Sequence, residues 1–456
     1  MSGSYQSAVE RMYALGHELA HTPSHKFDLE HMRGLLDALE HPEGKFPSVL
    51  IAGTNGKGST AATLASILQA AGLCTGLYTS PHLVRINERI RINGEQMPDD
   101  QFGLLHGVVD RTAERLVEDG ELPWHPSFFE MLTAIAFEYF ANQKVDIAVL
   151  EVGMGGRLDA TNVVEPLLSV ITDISLDHQK FLGNTITEIA QEKAGILRKN
   201  GVLVTLPQTP EANDTIGRAA LEMGTAVLSA VPFVPPISPA SPPLWEPVPR
   251  SQSQRRRVVS RYPLSVLGKE IIVETPLAGR HQLRNVALAI ASAEHLTAQF
   301  PSITADCIAS GIRETRWPGR FQVVTGGEDV PEFVLDVAHN PAGAWALRST
   351  LSSLYQSRQL VFVFGAMRDK AIREMAEILF PLAERVIATR ADNPRSATPQ
   401  EISEAAGRTG AEIDFASDVP SAISKARLLA AGEKVVVVTG SIYIVGEAMQ
   451  VLGVSA

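Results

Sequence analysis

Seven residues, TNGKGST at positions 54–60, place a single lysine, Lys57, among small side chains. An apolar run (Ser48–Ala52) precedes them, and a run with helical spacing (Ser59–Ala71) follows. Glycines on both sides of the lysine allow the backbone to turn its N–H groups inward, and a helix N-terminus adds the positive end of its dipole. A strand–loop–helix unit of this kind binds phosphate, with the lysine acting on the β- and γ-phosphates of a nucleotide.

The spacing of this loop differs from the general phosphate-loop pattern G-x-x-x-x-G-K-[ST]. Position 51 is not glycine, and Gly58 follows the lysine, although Ser59 or Thr60 could still meet Mg²⁺ or a phosphate oxygen. The alternative is a strand–turn–helix junction with an exposed lysine. The pattern taken alone favours phosphate binding over that alternative.

A carboxylate follows a second apolar run. The stretch VDIAVLEVG, residues 145–153, is apolar up to Glu151 apart from Asp146. A neighbouring parallel strand delivers a carboxylate in this way to a metal ion beside a phosphate loop. A carboxylate at a strand end is also common as an ordinary solvent-exposed polar residue. Glu151 alone therefore does not establish a metal site. Together, Lys57 and Glu151 favour an ATP site.

Short β-branched runs alternate with longer amphipathic runs along most of the chain, which is typical of parallel α/β sheets. Asn93-Gly94 predicts a hairpin. The predicted strands of the first half are Ser48–Ala52, Thr75–Thr79, Asp146–Val152, Leu168–Asp173 and Val202–Thr205. The predicted helices there are Ser59–Ala71, Glu130–Ala141 and Ile186–Arg198.

A second α/β series begins after residue 316 and predicts a second, smaller unit. We expect domains at 1–315 and 316–456, because Pro318-Gly319 breaks the chain near that point. The series follows a predicted helix at His281–His295, and its predicted strands are Phe333–Val337, Leu360–Phe364, Arg385–Thr389, Glu412–Ala416 and Lys434–Thr439.

Residues 231–250 contain eight prolines. Proline removes a backbone donor and fixes φ, so this segment is predicted to be an exposed, irregular insertion. Arg255, Arg256 and Arg257 follow it; a docking patch is one interpretation, and a solvated run of charge is the favoured one.

Composition narrows the class of protein. The 456 residues are 45% hydrophobic and 20% charged, with a net charge of −11, which argues against a general nucleic-acid or anionic-membrane binder. Cys74 and Cys307 are too few for a disulfide framework. No signal peptide or membrane-spanning run is visible. We therefore expect a cytoplasmic, monomeric enzyme whose partners are small molecules.

Seven short motifs occur in order along the chain: AGTNGKGST, YTSPHL, EVGMGGRLDATN, SLDHQKFLG, EKAGI, WPGRFQ and DVAHNP. With them, the chain resembles the folylpolyglutamate synthase/dihydrofolate synthase family of Mur-type ligases over nearly its whole length, the proline-rich segment excepted. The unusual spacing of the lysine loop is that of this family.

The resemblance implies a fold and a reaction. The fold is α/β, with a P-loop-type, mostly parallel-sheet ATPase domain followed by a smaller Rossmann-like α/β domain. ATP would phosphorylate a carboxylate of dihydropteroate or a folate, and the amine of L-glutamate would then attack the acyl phosphate and release the phosphate. The residues of the stretches DVAHNP and SFFE resemble those of bacterial bifunctional members of the family. Both the dihydrofolate synthase and the folylpolyglutamate synthase activities are therefore expected.

The resemblance also implies roles for individual residues on the ATP side. The matching ATP positions are Asn55, Gly56, Lys57, Gly58, Ser59, Asn285, Arg320 and Asp336. The matching positions for one or two Mg²⁺ ions are Ser80, Glu151 and His178. Lys193 matches a carbamylated lysine, a modification that needs a neutral amine and hence a lowered pKa. Considered without the family, Ser80 is a turn residue, His178 a loop residue and Lys193 a surface lysine.

Two further sets complete the implied site. His339 and Ser441 match positions on the glutamate side, with His339 and Lys193 joining Lys57 as the catalytic candidates. For the pterin-bearing substrate the matching positions are Phe27, Asp28, Leu29, Ser127, Phe128, Phe129, Glu130, Leu158, Asp159 and Ala160. The adjacent phenylalanines could stack a flat heterocycle, or they could be core residues of the following helix.

Three other functions compete with this prediction. A ligase that extends a UDP-linked muropeptide needs a nucleotide-sugar domain ahead of the lysine loop, and the 52 residues before Gly53 are too few for one. A P-loop switch would hydrolyse ATP without folate and would not need the second α/β series. A non-catalytic scaffold leaves Lys57, Glu151 and His178 without an explanation.

Overall fold

The structure is a computed structural model that describes residues 4–16, 28–236, 245–247, 258–325, 331–430 and 434–455. Within those residues it contains three β-sheets. The first sheet comprises β1 Ser48–Ala52, β2 Thr75–Tyr78, β3 Ile90–Ile92, β4 Glu95–Gln96, β5 Ile147–Glu151, β6 Leu168–Ile171, β7 Val202–Thr205 and β8 Ala226–Ser229. The second comprises β9 Trp245–Pro247, β10 Val258–Val266 and β11 Lys269–Thr275. The third comprises β12 Gln322–Val324, β13 Glu332–Leu335, β14 Leu360–Phe364, β15 Ala383–Ala388, β16 Ile413–Phe415 and β17 Val435–Thr439.

Helices surround these sheets. On the first two sheets they are α1 Tyr5–Ala14, α2 Leu29–Ala38, α3 Lys57–Ala70, α4 Asp99–Glu118, α5 Phe128–Gln143, α6 Gln179–Leu182, α7 Ile186–Ala194, α8 Pro210–Met223, α9 Arg280–Leu296 and α10 Ala305–Glu314. With the third sheet they are α11 Pro341–Leu354, α12 Ile372–Leu379, α13 Pro399–Ala405, α14 Val419–Leu429 and α15 Ile442–Leu452.

The first sheet has the order β4-β3-β2-β5-β1-β6-β7-β8, and all its pairs from β2 to β8 are parallel. Strand β1 is buried on both faces because its side chains alternate between two apolar layers. Val49 and Ile51 pack with α3, α9 and α10, whereas Leu50 and Ala52 pack with α2, α4 and α5. This layering fixes the loop after β1 at the carboxyl edge of the sheet.

The third sheet has the order β12-β13-β17-β14-β15-β16, in which only the edge pair β12–β13 is antiparallel. One face of the sheet packs against α11, α12 and α13, and the other against α14 and α15. This second, smaller three-layer unit confirms the predicted α/β fold class. The expected boundary at residue 315 falls between α10 and β12.

Local sequence patterns placed most strands of both large sheets. Strands Ser48–Ala52, Val202–Thr205 and Leu360–Phe364 have the predicted bounds, and the Asn93-Gly94 hairpin joins β3 to β4. The helix after the lysine loop begins at Lys57 and not at Ser59. This difference matters for the site, because the lysine and Gly58 then belong to the first helical turn.

The prediction that the whole proline-rich segment is irregular was wrong at one point. Trp245–Pro247 forms β9, which pairs with β10. Proline is tolerated there because β9 is an edge strand, so one of its sides needs no backbone donor. The segment is also not exposed throughout, since Phe233 and Val234 pack on the apolar layer that contains α3 and α9. Residues 237–244 and 248–257, including Arg255–Arg257, lie outside the described residues.

The carboxyl edges of the two large sheets border one cavity of about 680 Å³. The loops after β1, β5 and β6 line one side, and the segments after β13, β14 and β17 line the other. Loops at the carboxyl ends of parallel strands are the usual ligand sites of such sheets. This cavity is therefore the expected ligand site of the fold.

Candidate active site

The loop after β1 requires glycine at two positions. Gly53 has φ +152° and Gly56 has φ +92°, a region that favours glycine. A Cβ on Gly53 would lie 1.8 Å from Oγ1 of Thr172, and one on Gly56 would lie 2.2 Å from Oδ1 of Asn285. The loop is therefore packed so closely that side chains are excluded, and Asn285 on α9 lies directly against it.

The N-terminus of α3 is open to an anion. Gly56 occupies the N-cap position and supplies no side-chain cap to the first turn, which contains Lys57, Gly58 and Ser59. The first N–H groups of a helix need acceptors from outside it, and phosphate oxygens supply them. Lys57 Nζ contacts the carbonyl oxygen of Thr54 at 3.3 Å and so stays over the loop.

A buried carboxylate lies beside this loop. Glu151 at the end of β5 is 3% exposed, and its Oε2 accepts a hydrogen bond of 3.1 Å from the backbone N–H of Ser80. Burial raises the pKa of Glu151 above its ordinary value, although the positive charges of Lys57 and Arg320 oppose this. A cation next to Glu151 would stabilise its ionised form.

His178 follows β6 and also lines the cavity. Burial lowers its pKa to about 4; the charge of Asp177 opposes the shift, and that of Lys370 adds to it. The imidazole is therefore neutral at pH 7 and keeps a lone pair for a ligand. With Ser80 and Glu151 it gives a hydroxyl, a carboxylate and an imidazole. Among the described residues, no group of three or more His, Cys, Asp and Glu side chains could hold a metal ion.

Lys193 on α7 is buried and reaches the same loop. Its Nζ donates a hydrogen bond of 2.8 Å to the carbonyl oxygen of Gly53. Burial and, after it, the charge of Lys57 lower the pKa of Lys193 to about 7, although the charges of Asp177 and Asp159 oppose the shift. A substantial fraction of the amine is therefore neutral near pH 7. It is not the exposed surface lysine that its local pattern suggests.

The third sheet contributes a second group of candidates. Asp336 follows β13, and its carboxylate accepts hydrogen bonds of 2.9 Å from the N–H groups of Phe321 and Ala338. Burial lowers the pKa of Arg320, whereas Asp336 and Glu151 raise it. The Arg320 guanidinium therefore faces carboxylates from both sides of the cavity.

The remaining two candidates lie at helix starts. His339 Nδ1 donates to the carbonyl oxygen of Val337 at 2.9 Å, which directs Nε2 away from that strand end. Ser441 is the N-cap of α15, and its hydroxyl accepts the N–H of Tyr443 at 3.2 Å. Both line the cavity on the side of the third sheet.

The candidate residues for the pterin side fall into two groups. Some form the surface of the cavity, and others support that surface from behind. Phe129 is half-buried and contacts Gly153, whereas Phe128 is 4% exposed and stacks on Tyr13 with ring centres 5.9 Å apart. Glu130 accepts hydrogen bonds from Ser127 N–H at 2.8 Å and Ser127 Oγ at 2.6 Å.

The carboxylates of Glu130 and Asp159 are therefore hydrogen-bonded to other groups of the protein. Glu130 also contacts His31 Nδ1 at 3.0 Å, and Asp159 accepts hydrogen bonds from Thr161 and from the N–H of Met154. Asp28, Leu29, Leu158 and Ala160 also line the cavity. Phe27 lies outside the described residues.

Every described residue proposed from the sequence lines this one cavity. Sequence reasoning missed several others there, notably Asp177, Lys370 and the ion pair of Arg284 with Asp173. It also missed Asn340, which is buried and donates to Asp177. Asp177 and Asn340 occur inside the motifs SLDHQKFLG and DVAHNP, which was the available signal. Lys370 lies in none of the seven motifs.

Comparison with known proteins decides the family. A dihydrofolate synthase/folylpolyglutamate synthase from Bacillus subtilis is 34% identical over 423 residues, covering 92% of this chain and 93% of that protein. The chain belongs to this family. Its two parts also match the models of the Mur ligase middle domain, at residues 129–293, and of the Mur ligase glutamate ligase domain, at residues 319–442.

Solved structures of folylpolyglutamate synthases have the same fold. A folylpolyglutamate synthase of Mycobacterium tuberculosis complexed with ADP is 31% identical, with a TM-score of 0.84 and 99% of each chain covered. Escherichia coli FolC in complex with DHPP and ADP is 28% identical, with a TM-score of 0.78 and 99% of each chain covered. Among the described residues of this chain, no helix is long and apolar enough to cross a membrane.

Proposed function

We propose that this chain is an ATP-dependent ligase that adds L-glutamate both to dihydropteroate and to reduced folates through an acyl phosphate. The observation that carries the proposal is the cavity of about 680 Å³ that the two large sheets share. One side holds an uncapped helix start with Lys57, and the other holds Asp336 and His339. ADP in the Mycobacterium tuberculosis relative, and ADP with DHPP in the Escherichia coli relative, support the substrate classes.

The first step transfers a phosphoryl group. An oxygen of the substrate carboxylate attacks the γ-phosphorus of ATP, the bond to the β,γ-bridging oxygen breaks, and ADP leaves. Gly56, Gly58 and Ser59 would direct loop and helix N–H groups at the phosphates, and Lys57 would stabilise the developing negative charge. Asn55, whose N–H donates to the carbonyl oxygen of Asp173 at 3.1 Å, would shape the loop beside them. Asn285, Arg320 and Asp336 would complete the nucleotide site.

Mg²⁺ would be held by Ser80, Glu151 and His178. The buried Glu151 with its raised pKa, and the neutral imidazole of His178, fit a site that gains a cation. When bound, Mg²⁺ supplies charge neutralisation on the phosphates. Oxygen ligands suit this ion better than an imidazole does, and water would fill the remaining positions.

Lys193 would enter the site as a carbamate. Its neutral amine would attack CO₂ to give an N-carboxylate and release one proton, which replaces a buried neutral amine by a buried anion. The amine is within 2.8 Å of the phosphate loop at Gly53, so the new carboxylate would lie beside the metal positions. The lowered pKa and the burial of Lys193 support this modification.

The second step forms the amide. The amine of glutamate attacks the acyl carbon, the carbon–oxygen bond to phosphate breaks, and the amine loses a proton to solvent or to a base. His339 and Ser441 would hold glutamate on the side of the third sheet. Phe129 would contact the pterin ring, while Asp28, Leu29, Ser127, Leu158 and Ala160 would surround it, and Phe128, Glu130 and Asp159 would support that wall.

The deciding experiment measures ADP release and amide formation together. Dihydropteroate and tetrahydrofolate are each supplied with ATP, with and without glutamate. We expect ADP and amide in equal amounts with both acceptors, and little ADP when an acceptor is left out. Activity with one acceptor alone would restrict the proposal to one synthase. Substantial ATP hydrolysis without any acceptor would instead identify an NTPase switch. The division into domains 1–315 and 316–456, the monomeric state and the cytoplasmic location remain predictions.

A further inference from the structure

Asp177 connects the two sides of the cavity. It follows β6 of the first sheet, and its side chain is 8% exposed. Its Oδ1 lies 2.6 Å from Nζ of Lys370, and its Oδ2 accepts a hydrogen bond of 3.2 Å from Nδ2 of Asn340. Nε2 of His339 lies 3.6 Å from the same oxygen. All three partners lie in segments that follow strands of the third sheet.

Asn340 connects the third sheet to the phosphate loop. Its Oδ1 accepts the N–H of Gly343 at 2.8 Å and so caps α11. Its Nδ2 donates to Oδ1 of Asn55 at 3.0 Å as well as to Asp177. One buried amide therefore fixes a helix start on one side and touches the ATP loop on the other.

The pair of Lys370 and Asp177 depends on how the two sheets are placed. Lys370 is only 10% exposed and Asp177 only 8%, so both charges have lost most of their water. A buried charge is costly when it has no partner. The pair therefore forms favourably only when the loops after β6 and β14 meet, and each charge would take up water if the sheets moved apart.

We propose that Asp177, Asn340 and Lys370 form an inter-sheet clasp that closes the cavity around ATP and holds the glutamate side in register with the phosphate loop. The proposal rests on the proposed function, because an acyl phosphate must be kept from water until the amine arrives. The three act as positioning residues. They hold Asn55 and His339 in place and need not touch the reacting atoms.

Two single variants test the clasp by different means. Lys370→Met removes the charge and keeps much of the apolar stem. Asn340→Ser keeps an N-cap oxygen for α11 and removes the amide that reaches Asn55 and Asp177. In both, we expect kcat for amide formation to fall roughly 10- to 100-fold, because small misplacements of reacting groups have effects of this size. ATP affinity should change less than about threefold, since the loop and Lys57 are intact.

The number of ADP molecules released for each amide formed, here called the coupling ratio, separates a positioning role from a simple effect on protein stability. Wild type should release one ADP for each amide, whereas the variants should release more, because water reaches the acyl phosphate in a cavity that closes incompletely. The matched control is Lys425→Met, which breaks an ion pair with Asp414 of 2.9 Å inside the third-sheet unit. It should keep the wild-type kcat and ratio.

A double variant addresses the unpaired charge. Asp177→Asn combined with Lys370→Met leaves no buried ion without a partner, so a defect that came only from destabilisation should disappear. We expect the coupling defect to persist. Recovery of wild-type kcat and coupling in the double variant, or wild-type behaviour of both single variants, would overturn the clasp.

Small-angle scattering with a non-hydrolysable ATP analogue keeps this test separate from the proposed function. Compaction of wild type that is lost in Lys370→Met supports the clasp even if no pterin acceptor is ligated, in which case the proposed function fails. Amide formation by wild type, together with equal compaction and coupling in the variants, leaves the proposed function intact and refutes the clasp.

Discussion

The amine of Lys193 lies 2.8 Å from the carbonyl oxygen of Gly53, so a buried lysine on α7 touches the first residue of the phosphate loop. The two residues are 140 positions apart. The contact is possible because α7 and the loop meet at the carboxyl edge of the first sheet. It places an amine of lowered pKa beside the nucleotide site, and it leads to the first prediction.

Lys193 should make the stability of the unmodified protein depend on pH. Its pKa is 10.5 in a model peptide and about 7 in the fold, so the unfolded chain binds more protons between these values. Stability should therefore rise with pH from about 7 to about 10.5. Urea unfolding at several pH values in CO₂-free buffer should show a larger rise for wild type than for Lys193→Met. Equal slopes would contradict the lowered pKa.

The carbamate of Lys193 has its own test. Carbon-13 spectra recorded with labelled bicarbonate should show one carbamate signal in wild type and none in Lys193→Met. Removing CO₂ should lower kcat, and adding bicarbonate should restore it. If activity is unchanged in CO₂-depleted buffer and no signal is found, the modification is excluded as a requirement.

Replacing Lys57 with alanine should abolish ligation without unfolding the protein. The side chain provides charge near the phosphates and little packing, and loss of one strong electrostatic stabiliser costs about 100-fold or more in kcat. Turnover and thermal unfolding of Lys57→Ala should be measured beside Lys199→Ala, which changes an exposed lysine that does not line the cavity. Near-normal turnover in a folded Lys57→Ala would refute the ATP-loop role.

Glu151→Gln should stabilise the metal-free protein and inactivate it. Burial raises the pKa of Glu151 above the ordinary 4.5, so the native state binds the extra proton in that window and stability falls as pH rises through it. The amide removes this fall, so Glu151→Gln should be the more stable of the two proteins at pH 7. Urea unfolding at pH 5 and 7 checks the sign. A loss of stability would show that Glu151 is held as a favourable ion.

Gly153→Ala should weaken the pterin side selectively. The added methyl group would lie 2.5 Å from Cζ of Phe129 and must displace that ring. We expect KM for dihydropteroate to rise about tenfold, the scale of one lost aromatic contact, while KM for ATP stays within about twofold. Gly217→Ala on α8 is the control, because its new methyl group meets nothing within 4 Å. If wild type and Gly153→Ala have equal KM values for dihydropteroate, Phe129 does not contact the pterin.

The sequence by itself determined the local elements of both sheets. Strands such as Ser48–Ala52 and Leu360–Phe364 are short, apolar and rich in β-branched or aromatic residues, so their burial could be predicted from neighbouring residues. The lysine loop and the seven ordered motifs determined the family for the same reason, since each motif is contiguous. The start of one helix was predicted wrongly: it begins at Lys57, two residues before the predicted Ser59, and its N-cap is Gly56, which provides no side-chain cap.

Only the tertiary structure decided which polar residues act together. Asp177 and Lys370 are 193 positions apart, and Asn340 and Asn55 are 285 apart, so no local pattern relates either pair. Each of these residues, taken alone, is of a type that is common in ordinary loops and helix caps. Their contacts arise because the carboxyl edges of two separately packed sheets face each other across one cavity. That same arrangement buries Glu151, Lys193 and His178, and burial is the main physical cause that shifts their pKa values.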